Sequence, residues 1–197
     1  MNLVQLIKVS KKYKGNIVLD SINLCLDNKY INIILGENGC GKSTLLKCIN
    51  NFVSYNGKIT FSGSTTYVPE KIYMPNDLKV IEYLDLIINI KKKTFNNYFD
   101  LIEQFNLKEH LNKEISKISF GTKQKIILLQ ALVEDVDIYL FDEPLNGLDK
   151  YAIDKFCNEI TRLYSLNKII IIVTHEESRI NLNNIRYIKI KNGKVYD

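Results

Sequence analysis

Residues 36–44 read Gly36-Glu37-Asn38-Gly39-Cys40-Gly41-Lys42-Ser43-Thr44 and fit the pattern G-x-x-x-x-G-K-[ST]. The chemistry this spacing serves is phosphate binding. Backbone N–H groups of such a loop converge on phosphate oxygens, the lysine (Lys42) reaches the β and γ oxygens, and the hydroxyl (Ser43) binds Mg²⁺. Gly36, Gly39 and Gly41 allow an approach that side chains would block, and some of these positions need a positive φ. Asn38, Cys40 and Thr44 complete the set of residues expected around the nucleotide. Cys40 reads as a small space-filling residue, although its place near a helix N-terminus is also one that lowers a thiol pKa. A Gly-rich turn alone can arise by chance. This one follows an apolar strand and opens a helix, whose positive dipole end adds to anion binding, so it implies a bound nucleotide.

A triphosphate site also needs carboxylates to hold a metal and prime a water. Ile138-Tyr139-Leu140-Phe141-Asp142-Glu143 supplies them, as an apolar strand ending in two acids. Asp142 is placed to help hold Mg²⁺. Glu143, just past the strand end, is a candidate general base that orients and deprotonates the attacking water. The alternative is a solvated acid pair at a strand end. The phosphate loop upstream favours the functional reading.

Further motifs resemble one family. Ile118-Ser119-Phe120-Gly121-Thr122-Lys123-Gln124-Lys125 resembles the signature motif of ABC-type ATPases, the ATP-binding subunits of ABC transporters. Asn146-Gly147-Leu148-Asp149 is similar to the family's D-loop, and Val173-Thr174-His175 to its switch histidine. Tyr13, with Val18-Leu19-Asp20 after it, is similar to the aromatic that stacks on adenine. The elements stand in the family's order over essentially the whole chain. The resemblance implies ATP and Mg²⁺ as ligands and a head-to-tail dimer, of this chain with itself or with a close relative. In that dimer Ser119 and Gly121 of one copy face the γ-phosphate held by Lys42 of the other, and His175 links that phosphate to the water. It also implies a membrane-spanning partner and a cytoplasmic place on the inner face of the membrane. Two departures stand out. Phe120 and Thr122 replace the usual glycine and glutamine, a variant similar to that of small bacterial drug and peptide exporters. Glu70, in Tyr67-Val68-Pro69-Glu70, stands where the family carries a metal-contacting glutamine. His110 reads as a surface residue.

The elements that must position these residues follow from periodicity. Residues 3–9, 22–26 and 30–35 predict strands, the last nearly all apolar as expected when both faces are buried. A helix over 42–50 follows, then strands over 58–61 and 65–68, and Pro69 and Pro75 bracket an irregular loop. From 77 to 111 the pattern is helical, with Val80, Leu84, Ile87 and Ile88 on one face and Phe95, Phe99, Ile102 and Phe105 on a second helix. A helix over 126–133, a strand over 138–141, a helix over 151–164 and a strand over 169–173 come next. Residues 187–190 and 194–196 predict a hairpin turned by Asn192-Gly193. The result is an α/β fold: a P-loop NTPase core with a mainly parallel sheet, a small and shortened antiparallel β-subdomain, and a helical insertion near 77–118, all within one domain spanning 1–197.

Composition agrees with a globular domain, at 197 residues, 46% hydrophobic and 25% charged. The net charge of +5 is mild. Its lysine runs, at 8–14, 91–93 and 189–194, lack interleaved aromatics and read as solvated faces, with no nucleic-acid partner expected. The four cysteines show no CxxC pairing, so no zinc site or disulfide framework is expected. No signal peptide is expected at the start, and the longest apolar stretches are too short for a bilayer. Two other readings remain: an ABC-type ATPase with a soluble partner, and a P-loop kinase for a small acceptor. Glu143 directly after Asp142 speaks against the kinase.

Overall fold

The computed structural model describes residues 3–91 and 98–196; Phe95 and the lysines at 92 and 93 lie outside them. The described chain falls into two compact units. One holds the chain up to Glu70, Val136–Pro144 and the described residues from Ile160 on; the other holds Lys71–Asp135 and Leu145–Glu159.

Two sheets build the first unit. Strands β1 (Leu3–Tyr13), β2 (Asn16–Asp27) and β4 (Asn56–Thr60) form an antiparallel sheet in the order β2-β1-β4. The other sheet uses β3 (Ile31–Leu35), β5 (Thr65–Val68), β6 (Ile138–Asp142), β7 (Ile169–Thr174), β8 (Ile185–Lys191) and β9 (Lys194–Tyr196). Its order is β5-β6-β7-β3-β8-β9, parallel throughout except for the β8–β9 hairpin. Every residue of β6 and β7 is buried, which is why these strands read as unbroken apolar runs rather than alternating ones. Asn32 is a polar residue fully buried in the middle of this sheet, in β3. Its Nδ2 lies 2.9, 3.0 and 3.2 Å from the carbonyl oxygens of Asp27, Tyr30 and Ile170 as their donor, which ties β3 to β7, while its Oδ1 is buried without a hydrogen-bond partner among the described residues.

Helix α1 (Lys42–Ile49) joins the two sheets into one core. Its Leu45, Leu46, Cys48 and Ile49 are buried in a cluster with Val4, Leu6 and Leu26 of the antiparallel sheet and with Ile138, Ile171 and Val173 of the parallel one. The helix that carries the phosphate loop is therefore held from both sides by apolar contact.

The strands β1 and β2 run beyond the predicted 3–9 and 22–26 because bulges hide their period. The pairing register shifts between Leu6 and Val9, Val9 and Lys11, and Lys11 and Lys12. Side chains satisfy the N–H groups near these breaks: Lys8 N donates to Asn23 Oδ1 and Ser21 N to Ser10 Oγ, both at 2.9 Å. Tyr30 is exposed, so β3 begins one residue later than predicted.

The second unit is helical, from α2 (Val80–Lys91), α3 (Tyr98–Gln104), α4 (Phe120–Leu132) and residues 150–159 of α5 (Lys150–Ser165). Backbone bonds from Ile81 N to Leu111 O and from Ile115 N to Leu78 O, both 2.9 Å, stitch its connecting segment to the start of α2. Tyr83 OH donates to Gln130 Oε1 at 3.1 Å and links α2 to α4. Val80 and Leu84 are buried as their spacing predicts, but Phe99 is 77% exposed. The buried face of this segment is instead Tyr98, Leu101, Ile102 and Phe105, an i, i+3, i+4, i+7 set from which Phe99 is displaced by one residue. Helix α4 starts at Phe120 rather than near 126. Ser119 caps it, accepting from Thr122 N at 3.1 Å, and this cap overrides the weak helix preference of Gly121. Among the described residues no helix is long and apolar enough to cross a membrane.

Leu46 is fully buried where α1 meets both sheets, whereas Leu166 is 53% exposed. Leu46→Ala is expected to lower unfolding free energy in urea by about 2–5 kcal/mol, and Leu166→Ala to change it by less than about 0.5 kcal/mol. Equal midpoint shifts for the two would show that α1 is not the centre of the core.

Candidate active site

Strand β3 ends at Leu35 and α1 begins at Lys42, so the phosphate loop spans the gap at the carboxyl edge of the parallel sheet. Gly41 caps the helix at φ 112°, and a Cβ there would lie 2.8 Å from Val18 O and 2.9 Å from Leu19 Cδ2. Only glycine fits both the angle and the space. Cys40 packs inward against the core cluster, consistent with the space-filling reading. Lys42 is buried, and its Nζ donates to the carbonyls of Gly36 at 2.6 Å and Glu37 at 3.2 Å. The ammonium is thereby held across the loop.

The carboxylates arrive from the end of β6, both buried. Both oxygens of Asp142 are engaged. Ser43 Oγ donates to Oδ1 at 2.9 Å and Tyr67 OH, from β5, donates to Oδ2 at 3.0 Å. Burial raises the Asp142 pKa above its ordinary 3.8; the two hydroxyl bonds oppose this shift, while the charges of Glu70 and Glu143 reinforce it. The Tyr67 phenol is pushed strongly up, by burial first and then by the Asp142 charge, so it stays a donor.

Glu143 departs from the strand. Its φ is 51°, a left-handed conformation that costs a non-glycine residue about 1–2 kcal/mol. Its N–H still donates to Val173 O at 2.9 Å, so the turn is anchored to β7. Residues kept in such conformations cluster at functional sites. Here the turn brings Glu143 Oε1 to 2.9 Å from His175 Nδ1 and 3.7 Å from Lys42 Nζ. An ionised carboxylate only accepts, so Nδ1 carries the proton of that bond and Nε2 is the ring's other functional atom.

Lys42, Ser43, Asp142, Glu143 and His175 thus converge at the ends of β3, β6 and β7. Glu70 is exposed just beyond β5, near enough for its charge to act on Asp142. Tyr13 is 42% exposed near the end of β1, with Lys11 Nζ 4.8 Å from its ring centre. Ser119 and Gly121 belong to the helical unit. There a Cβ on Gly121 would fall 2.3 Å from Gly147 O, and Lys125 Nζ lies 2.7 Å from Asp149 Oδ2. The segments resembling the signature and D-loop motifs are therefore packed on one another.

A cavity of about 1070 Å³ lies beside Gly36 to Cys40 and is lined also by Ile17, Val18, His175, Lys189, Lys191 and Tyr196. Tyr67 at Asp142, and Lys189, Lys191 and Tyr196 along the cavity, carry no motif by which the sequence marks them. In sequence Tyr67 is one residue of a short strand, Lys189 and Lys191 belong to a lysine run that predicts a solvated face, and Tyr196 belongs to a predicted hairpin. The alternation of β8 held the signal for the lysines, since it sets them opposite Ile188 and Ile190, which are buried.

A mainly parallel sheet whose first-used central strand opens into this loop, with acids at the end of β6, one strand removed across β7, defines a P-loop ATPase. A family model described as "ABC transporter" matches residues 19–146, and the chain belongs to that family. It is an ATP-binding subunit with ATPase activity. It is 29% identical to the zinc import ATP-binding protein of Buchnera aphidicola, over 96% of this chain and 81% of that protein. It is 29% identical to the cytochrome c biogenesis ATP-binding export protein of Reclinomonas americana, over 90% of this chain and 87% of that one. Among solved structures, one described as the ATP-binding subunit of an ABC transporter superposes with a TM-score of 0.86 at 24% identity, covering 99% of this chain and 88% of that one. That likeness concerns the fold.

The raised Asp142 pKa has a defined pH signature. Between 3.8 and its raised native value the folded state holds more protons than the unfolded state, so this group makes stability fall as pH rises. Asp142→Asn removes that contribution. Measured without divalent metal, the unfolding free energy of Asp142→Asn minus that of the wild type is expected to increase with pH across this window. A difference that is flat or falls with pH would mean that Asp142 is not raised.

Proposed function

We propose that this ATPase is the motor of an exporter, moving a peptide or drug-like substrate through a separate membrane-spanning partner. The observation carrying the catalytic part is the convergence of Lys42 and His175 on one carboxylate oxygen of Glu143. Lys42 binds the β and γ oxygens, Glu143 accepts a proton from the attacking water, and His175, exposed on one side, presents its Nε2 toward the γ-phosphate. Asp142, Ser43 and Glu70 are the residues that would hold Mg²⁺. Among the described residues no group of three or more His, Cys, Asp and Glu side chains is poised to hold a metal by itself. That fits Mg²⁺, which commonly uses one or two carboxylates together with phosphate oxygens and water. The two buried acids beside one buried lysine also leave the site short of positive charge, which a divalent cation supplies.

The direction of transport rests on the signature, in which Phe120 and Thr122 stand for the usual glycine and glutamine. Names among similar proteins include both import and export. Ser119 is an exposed residue whose hydroxyl caps α4, engaged with Thr122, and its place at the helix N-terminus suits the γ-phosphate of a second copy in a head-to-tail dimer. Co-purification with the membrane-spanning partner, followed by ATP-driven movement out of inside-facing vesicles, tests the assignment; uptake in the opposite sense would replace export by import.

For the chemistry, Lys42→Ala is expected to abolish Mg²⁺-dependent hydrolysis. Glu143→Gln should retain ATP binding while turnover drops by about 10²-fold or more, and it should accumulate as a dimer with ATP. Wild-type turnover in either variant would remove that residue from the mechanism.

A further inference from the structure

We propose that Tyr67 is a positioning residue that makes the metal site select Mg²⁺ over Ca²⁺: its phenol holds Asp142 Oδ2, so the carboxylate offers a cation one oxygen only. This rests on the reading of Asp142 as a residue that would hold Mg²⁺. The sheet register places the phenol. Tyr67 pairs with Leu140 across the parallel β5–β6 ladder, so it shares a face with Leu140 and, two residues on, with Asp142. Those two residues advance about 6.6 Å along the strand, a step that a tyrosine side chain spans. The hydroxyl reaches forward to the end of β6 and donates to Oδ2 at 3.0 Å.

The ring is held in place. It packs against the apolar cluster that includes Leu140, and Phe52 meets it edge-on, with 5.5 Å between ring centres and 84° between planes. A donor fixed in this way leaves the two Asp142 oxygens unequal. Oδ1 is bonded at 2.9 Å to Ser43, whose hydroxyl is itself expected on the cation, so Oδ1 and Ser43 Oγ can serve together. Oδ2 is bonded to a neutral phenol, which is not among the usual oxygen ligands of either cation.

The two cations differ in what they need. Ca²⁺ takes about six to eight oxygens and accepts a carboxylate through both of its oxygens. Mg²⁺ takes an octahedral set at shorter distance, with one or two carboxylates, phosphate oxygens and water. To turn both oxygens to one ion, Asp142 has to release the Tyr67 hydroxyl. The residue is 1% exposed, so no bulk water takes the place of that bond. The cost falls on Ca²⁺ and not on Mg²⁺.

Binding of a non-hydrolysable ATP analogue is measured by calorimetry with Mg²⁺, with Ca²⁺ and in EDTA, for the unsubstituted chain, Tyr67→Phe, Asp142→Asn and the double variant. The unsubstituted chain is expected to bind the analogue more tightly with Mg²⁺ than with Ca²⁺. Tyr67→Phe keeps the ring and removes only the hydroxyl. Its ratio of Mg²⁺-supported to Ca²⁺-supported affinity is expected to fall about tenfold, the scale of losing a hydrogen bond behind a metal ligand, with binding in EDTA unchanged. In the Asp142→Asn background, Tyr67→Phe should leave the ratio where it was. An unchanged ratio in Tyr67→Phe alone would overturn the inference. So would an equal loss with both cations and in EDTA, which would assign Tyr67 to packing. A ratio that still falls in the Asp142→Asn background would overturn the route through Asp142. Analogue binding by the unsubstituted chain that is indifferent to Mg²⁺ would remove the reading of Asp142 as a metal residue, and the inference with it.

Discussion

The Glu143 carboxylate, with 6% of its side chain exposed, must be compensated where it is buried. Burying a carboxylate is costly unless positive or hydrogen-bonding groups meet it. Lys42 at the start of α1 and His175 after β7 both meet its Oε1. Removing one partner of a buried pair costs on the order of 3–5 kcal/mol, because the other charge is left uncompensated. Three segments far apart in the chain are therefore tied together by one oxygen atom. The left-handed backbone of Glu143 makes this possible: continuing as a regular strand would carry its side chain along the pleat of β6 instead.

Asp142, its immediate neighbour, meets hydroxyls rather than cations. Two adjacent carboxylates in contrasting surroundings are the pattern expected when one serves a metal and the other handles a proton. Ser43 and Tyr67 hold both Asp142 oxygens in fixed directions without neutralising them. Tyr67 reaches its position because β5 lies directly beside β6, where Val68 pairs with Phe141 and Tyr67 with Leu140. An edge strand of the sheet thereby orients a group in its interior.

The parts of this molecule legible in sequence are those where local spacing expresses the physics. The loop from Gly36 to Thr44 carries its own signature, and β6 and β7 announce themselves as apolar runs because both their faces are buried. The boundaries of β1 and β2 were hidden, because each bulge inverts the alternation by which a strand is recognised. The start of α4 was hidden by Gly121, a residue that reads as loop; its lack of a side chain in fact lets the backbone approach Gly147. Tyr67 was invisible as a partner of Asp142 because the bond spans 75 residues and depends on which strands become neighbours. Phe99 misleads because aromatic residues are usually buried, yet in α3 the adjacent Tyr98 occupies the inward position.

The same dependence on strand order explains how the cavity is closed. The phosphate loop belongs to the parallel sheet, but Val18 and Ile17 come from the antiparallel one. The β8–β9 turn bridges them: Asp20 N donates to Gly193 O at 2.9 Å, and Lys194 Nζ lies 3.6 Å from Asp20 Oδ2. The backbone bond carries most of this link, since the ion pair is largely exposed and such pairs contribute little. Gly193 must come close for this to occur, as a Cβ there would stand 2.6 Å from Val18 O. Helix α1 fixes the two sheets from within through apolar contact, and the hairpin fixes them at the rim through a directional bond. The first sets how far apart the walls stand, and the second sets which residues face across the gap.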